Sequence, residues 1–415
     1  MRESLWNITE VSSEIEKEVA EIIAQLRDIA ESERDGALLK LRRRFESELA
    51  PEQTLVPPSR IREALDSTEA GLQESLRLAA SNIRQVAEAE LAGDVSRSLP
   101  EGQQITIRSL PVDAAGVYAP GGRAAYPSTV LMCCVPAKVA GVGRIVVTSP
   151  VDPKGQPHRS ILAAAAIVGA DEVHAMGGAH AVAALALGTS SIEAVDVIVG
   201  PGNQYVQEAK RQLFGLVGID SIAGPSEVIV LAEATANVRN VALDLAAQAE
   251  HGPDSPVILV GTDSDTLTDI DSAYSEIISV VPGFAGDQLT IVDAVDLDSA
   301  LAFVDEMAPE HLELHCPDSD RVAMRVGCAG AVFHGEGAGA VFGDYVAGSN
   351  HVLPTRRTAR FAGPLSANTF RRRQALVSLT AEAAQALAPH AARIARAEGF
   401  PIHAESAEAR AQEHS

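Results

Sequence analysis

From residue 144 to residue 333 the chain repeats one pattern: a short, continuously apolar run, then a longer helical stretch. The predicted strands are Arg144–Thr148, Glu172–Ala175, Val195–Val199, Glu227–Ala232, Pro256–Val260, Leu289–Val292 and Gly330–Phe333. The predicted helices between and around them include Pro127–Ala140, His158–Val168, Ala179–Leu187, Asn237–Ala249 and Ser264–Val280. Apolar strands without polar alternation are buried on both faces, and the intervening helices are what buries them. The pattern therefore demands parallel sheets with a helical layer on each side.

The span is long enough for two such units, so the expected fold is α/β with two Rossmann-like parallel-sheet domains. One is placed at residues 118–225. The other combines 16–117 with 226–365. Residues 1–15 read as an N-terminal leader. Helical spacing follows it: Ile15, Val19, Ile22, Leu26 and Ile29 fall on one stripe. Pro57 and Pro58 interrupt the helical pattern. A strand pair is expected at Ile105–Ile107 and Ala115–Tyr118. Residues 366–415 read as a separate helical tail, with the run Arg371-Arg372-Arg373 as a solvated face.

Aromatic residues make up only 4% of the chain against 46% hydrophobic content, which suits helices on buried strands better than an all-β sandwich. A net charge of −23 over 415 residues argues against nucleic acid and against an anionic membrane surface. No apolar run approaches the ~20 residues of a membrane-spanning helix, and the first twenty residues lack the pattern of a secretory signal. Cys133, Cys134, Cys316 and Cys328 form no Cys-x-x-Cys pair, so reduced thiols and a cytoplasmic location are expected.

Five polar clusters could carry chemistry. Gln248 and His251 stand three apart near a predicted helix end. They are either a pair of metal ligands or ordinary polar residues at a helix C-terminus. Asp344 and His351 lie in a glycine-rich segment after a predicted strand, where α/β proteins build sites; a capped loop over a packed histidine is the other reading. Glu310 and His311 combine a group able to activate water with one able to shuttle protons. In an extended strand these neighbours would point to opposite faces, and a loop could aim both at one pocket. Ala119-Pro-Gly-Gly122 and Gly200-Pro-Gly-Asn203 each link a strand to a helix, as turns that approach an anionic ligand do, and as tight turns do too. Ser226, in Gly224-Pro-Ser-Glu227, lacks a nucleophile elbow and reads as a capping or substrate-binding serine.

Taken together, these segments resemble the histidinol dehydrogenase family, in order and spacing, from about residue 100 to 403. The stretches that carry the resemblance are Gly116-Val-Tyr118-Ala-Pro-Gly-Gly122, Pro127–Met132, Val199–Asn203, Ala223–Glu227, Ala247–His251, Ala308–Leu314, Gly343–Tyr345 and His351–Thr355. The resemblance implies an enzyme of the last step of histidine biosynthesis. It would oxidise L-histidinol to L-histidine through L-histidinaldehyde, reducing two NAD. It also implies one Zn2+ per subunit, held by Gln248, His251, Asp344 and His403. In the family that last histidine comes from the other subunit of a homodimer, so the tail would cross and complete the partner's site. Glu310 and His311 match the acid–base pair. Ser226, His351 and Glu398 match substrate contacts, and the zinc ligands and His311 also face the substrate. Tyr118 and Asn203 match residues that hold NAD. The third such position, a Gln in the family, is His180 here, within Gly177-Gly-Ala-His180. The alternative kept open is a paralogue that oxidises another small alcohol, such as a sulfonated diol; Glu398 and His403 favour histidinol.

Overall fold

Short buried strands need helices on both faces, and a computed structural model gives each of two sheets that cover. It describes residues 12–48, 50–121, 124–280 and 289–412. Most of the expected leader, and Gly122 of the first glycine turn, lie outside the described residues. Helices α1 (Ser13–Arg27), α2 (Glu31–Phe45), α3 (Pro58–Asp66) and α4 (Ala70–Glu90) come first. Strands β1 (Val95–Ser98), β2 (Gln104–Pro111) and β3 (Ala114–Tyr118) follow. The alternation continues with α5 (Pro127–Ala140), β4 (Arg144–Ser149), α6 (Arg159–Val168), β5 (Glu172–Ala175), α7 (Gly178–Leu187), β6 (Val197–Val199), α8 (Gln204–Leu213) and β7 (Gly218–Ile219). Then come β8 (Val228–Ala232), α9 (Val238–Ala249), β9 (Val257–Gly261), α10 (Ser264–Ser279), β10 (Leu289–Asp293), α11 (Leu297–Met307), β11 (His311–His315), α12 (Ser319–Ala323), β12 (Ala331–His334) and α13 (Ala340–Tyr345). The chain closes with β13 (Arg371–Ser378), α14 (Ala381–Ala397) and α15 (Pro401–Gln412).

Two five-stranded sheets are parallel throughout, in the orders β5-β4-β3-β6-β7 and β10-β9-β8-β11-β12. Strand order reverses between β3 and β6 in the first sheet and between β8 and β11 in the second. In the second sheet the two-residue period of a strand sorts the core. Val228, Val230 and Ala232 face a cluster with α9 and α10, while Ile229 and Leu231 face Leu301 and Val304 of α11. In the first, the stripe Ile15, Val19, Ile22, Ile23 and Leu26 of α1 is buried among residues of α7 and α8. Ser12 caps that helix, its side chain accepting from the Ile15 amide.

The described residues divide into two compact units. One comprises the chain up to Glu90 with Asp113–Phe370 and holds both parallel sheets. The other comprises Leu91–Val112 with Arg371–Ser415. The sequence reading grouped 16–117 with the second sheet. In the structure α1 and α2 pack on helices of the first sheet, β3 stands at its centre, and 91–112 belongs with the tail. The expected strand pair also divides: β2 is antiparallel to β1 and β13, and β3 pairs with β4 and β6. The Arg371-Arg372-Arg373 run opens strand β13 rather than a helical face. Full-length pairing with β2, from Arg371↔Pro111 to Ser378↔Gln104, overrides its local pattern. In the tail, α14 and α15 pack through small residues, with Ala383, Ala388, Ala392 and Ala404 buried. Arg396 and Glu408 join them in a two-pronged pair, both contacts 2.7 Å.

Candidate active site

Parallel strands deliver their following loops to one edge of a sheet. At the C-terminal edge of the first sheet, the loops after β3 and β6 flank the point where strand order reverses, the usual ligand crevice of open α/β sheets. Backbone approach there is close. Gly200 has φ +112°, and a Cβ on it would stand 2.2 Å from the Tyr118 carbonyl oxygen. Asn203 caps α8, its side-chain oxygen accepting from the Tyr205 and Val206 amides at 3.1 Å each. The Tyr118 hydroxyl accepts from the Gly178 amide at 3.0 Å, and burial pushes its pKa up to about 12, so it stays neutral. His180 is 1% exposed; its Nε2 makes no hydrogen bond and faces Glu46 Oε1 at 3.5 Å. The structure thus brings Tyr118, His180 and Asn203 to one edge. A glycine turn free of side chain and an unused buried nitrogen fit a dinucleotide.

The second sheet assembles its chemistry at the opposite edge, before β8 and β11. Glu310 and His311 are both buried, and Glu310 Oε2 lies 3.5 Å from His311 Nδ1. Glu310 sits in a bend, not in the strand, so the opposite-face rule does not separate the pair. Ala308, just upstream, takes a left-handed φ of 46°, and Arg356 and Arg357 do likewise at 52° and 64°. Non-glycine residues in that region carry backbone strain of order 1 kcal/mol, a cost that tends to gather at functional sites. Glu310 Oε2 accepts from the Ser226 hydroxyl at 2.7 Å and the Glu227 amide at 2.9 Å. Ser226 therefore holds the Glu310 carboxyl in place.

His311 Nδ1 lies 3.1 Å from the Glu227 carbonyl oxygen. A carbonyl only accepts, so Nδ1 carries a proton and donates. Nε2 makes no hydrogen bond and stands 3.5 Å from Asp344 Oδ1. Burial draws the His311 pKa down, but the Glu310 and Asp344 carboxyls outweigh it and hold the imidazole well above its ordinary value. Burial drives Asp344 up, and His311, His351 and His251 more than reverse it, leaving a carboxylate below its usual range. Glu227 is 1% exposed, and burial next to Glu310 lifts its carboxyl to about 8.

The remaining residues join from α9, α13 and the loop beyond. Gln248 stands in the last turn of α9, 6% exposed, with an amide nitrogen lacking a hydrogen bond. His251 follows, its amide bonded to the Gln248 carbonyl. Helix α9 packs against α13, which carries Asp344. An amide oxygen, an imidazole and a carboxylate are a donor set that fits zinc. His351 ties this edge to the first sheet: Nδ1 donates to the Asp344 carbonyl at 2.9 Å, and Nε2 meets the Thr129 hydroxyl of α5 at 3.1 Å. Burial lowers its pKa and keeps it neutral. A substrate that used His351 would compete with Thr129 for Nε2. Glu398 and His403 lie in the second unit, at the C-cap of α14 and on α15, both exposed.

A group missing from the sequence reading is Asp244, Glu313 and His315, whose ligand atoms all lie within 4.8 Å of one another. Glu313 is fully buried, accepts from the Ala340 amide at 2.7 Å and pairs with His315 at 3.1 Å. Burial and Glu313 raise Asp244 to about 7. Asp244 stands one turn before Gln248, so spacing along α9 was the one signal available. Among the described residues no helix is long and apolar enough to cross a membrane.

A family model described as "Histidinol dehydrogenase" matches residues 7–411. A histidinol dehydrogenase of Aromatoleum aromaticum is 40% identical over 404 residues, 95% of this chain and 91% of the relative. That of Ruegeria pomeroyi is 41% identical over 408 residues, 97% and 93% of the two chains. The crystal structure of histidinol dehydrogenase from Elizabethkingia anophelis superposes with a TM-score of 0.90 at 32% identity, covering 96% of this chain and 92% of the other.

Proposed function

The chain belongs to the histidinol dehydrogenase family of oxidoreductases, and on that premise we propose that it oxidises L-histidinol to L-histidine in two NAD-linked steps with zinc bound. One observation carries the reading. The buried Glu310–His311 pair sits beside Asp344, and His351 links Asp344 to Thr129 at the edge where the first sheet gathers its glycine turns. Acid–base chemistry and a hydride acceptor can therefore share one cleft.

Gln248, His251 and Asp344 would hold the zinc, with His403 of the partner subunit as fourth ligand. A zinc ion there supplies positive charge that orients the substrate's imidazole and amine and lowers the proton affinity of His311. NAD, which Tyr118, His180 and Asn203 would hold, would supply the hydride acceptor. His311 takes the alcohol proton at Nε2, the nitrogen its Glu227 bond leaves free, as the carbinol hydride departs. Glu310, steadied by Ser226 and Glu227, then takes a proton from a water that adds to the aldehyde, while His311 returns its proton to the aldehyde oxygen and is free again. His311 serves again as base when the hydrate loses the second hydride. One water is consumed and two NADH form. Exposed Ile394 (60%), Phe400 (52%) and Ile402 (70%) on the tail support a crossing that covers them in a homodimer and brings Glu398 with His403. Four free thiols suit the reducing cytoplasm.

The test is the yield of NADH per L-histidinol with zinc-loaded protein. Two NADH, with histidine as product, are expected. No NADH from histidinol overturns the substrate assignment and directs attention to other small alcohols.

A further inference from the structure

Both backbone polar groups of Gly200 are held by one buried ion pair. Lys210 Nζ donates to the Gly200 carbonyl at 3.0 Å, and the Gly200 amide donates to Asp220 Oδ2 at 2.7 Å. Lys210 and Asp220 meet at 2.5 Å, with side chains 0% and 4% exposed. Neither belongs to the acid–base site.

A buried ion pair is a costly way to fill space. Apolar residues of similar volume often serve stability as well or better, because two charges must be stripped of water. This pair does something apolar residues cannot. Gly200 lies just beyond the pairing of β6, whose register with β3 ends at Val117↔Val199. Its amide and carbonyl would otherwise be unsatisfied or free to turn. With φ at +112° and the Tyr118 carbonyl against its Cα, the residue has one narrow conformation. Three residues on, Asn203 spends its side-chain oxygen on the first turn of α8, leaving its amide group for a ligand. Lys210 stands on α8 and Asp220 just after β7, so one pair clamps the loop to the helix it precedes and to the neighbouring strand.

We propose that Lys210 and Asp220 are positioning residues for the dinucleotide: by fixing Gly200 they set where Asn203 and the Tyr118 backbone stand, and hence the affinity for NAD, without touching the cofactor. This rests on the NAD reading above.

The experiment is an NADH titration, read by the cofactor's own fluorescence, on zinc-loaded protein. L-Histidinol binding, bound zinc and melting temperature are measured alongside. Lys210→Met is expected to weaken NADH binding about tenfold or more, since small displacements of positioning groups have large effects. Zinc content and histidinol affinity should hold. The double variant Lys210→Met with Asp220→Leu removes both charges and separates position from stability. A pair that matters only to folding would leave that variant binding NADH as the parent does, and this would overturn the proposal. Recovered melting temperature with NADH affinity still lost supports it. Asp220→Asn keeps size but removes the charge that holds Lys210 on the Gly200 carbonyl, and carries the same reading should the larger changes fail to fold. NADH affinity within about twofold of the parent in this variant also overturns the proposal. Parent protein that binds no NADH would instead strike the NAD assignment itself.

Discussion

In the first sheet the proposed dinucleotide-binding residues follow the strands; in the second the proposed acid–base residues precede them. Both sheets share one strand order. Yet Tyr118, Gly200 and His180 stand at or beyond strand ends, whereas Ser226, Glu227 and Glu310 stand before β8 and β11, and His311 opens β11. A dinucleotide site needs backbone approach, which glycine turns at a C-terminal edge provide. Proton transfer needs side chains locked in place. The second sheet does this with bonds among Ser226, Glu227, Glu310 and His311, under strained backbone at Ala308, Arg356 and Arg357. The same topology can thus serve backbone recognition at one edge and side-chain chemistry at the other.

The division predicts that each edge fails in its own way. The largest effect should come from chelation. Stripping metal is expected to abolish turnover while NADH still binds; full activity in zinc-free protein would refute the metal's role. Next, Glu310→Gln should slow aldehyde oxidation by about a hundredfold or more and alcohol oxidation less. Equal losses in the two half-reactions would erase the separate role given to Glu310. On the other sheet, Gly200→Ala forces a methyl onto the Tyr118 carbonyl at a left-handed φ. NADH affinity should fall about tenfold and stability by about 2 kcal/mol, with zinc content unchanged. Loss of zinc in that variant would mean that the edges are not independent. The smallest effect concerns Glu227. Its folded pKa of about 8 lies above the ordinary glutamate value, so the native state holds this proton more tightly. The stabilising contribution is full below the ordinary value and drains away as pH rises through 8. Glu227→Gln should therefore gain melting temperature relative to the parent as pH goes from about 5 to about 9; a constant gap would show that the carboxyl is not a buried acid.

Much of this was legible in the sequence where burial is simple. Helix α5 runs from Pro127 to Ala140 as spacing predicts, and the expected strands of both sheets fall within two residues of their places. Two strands of these sheets, the short β7 and the interior strand β11, were not among those expected. The run His311-Leu-Glu-Leu-His315 carries three charged or titratable residues among its five, and such residues are seldom fully buried. Its glutamate is nonetheless fully buried, satisfied by the Ala340 amide and His315. Strand β13 was hidden for the opposite reason: its residues are mostly exposed, and only pairing with β2 makes them a strand.

The sequence by itself determined the alternation of buried strands and helices, hence two parallel sheets. It also determined the glycine turns and, through motif order, the family. Periodicity and turn chemistry are local, so they can be read from neighbours along the chain. Only the tertiary structure decided which edge of each sheet carries these candidate residues. It alone showed that Ser226 holds Glu310, that the Glu227 carbonyl leaves His311 its Nε2, and that Lys210 and Asp220 clamp Gly200. Those are contacts across 84, 84, 20 and 10 residues. Buried charge and hydrogen bonding depend on what the fold brings alongside a group, and the local pattern of a chain does not contain that.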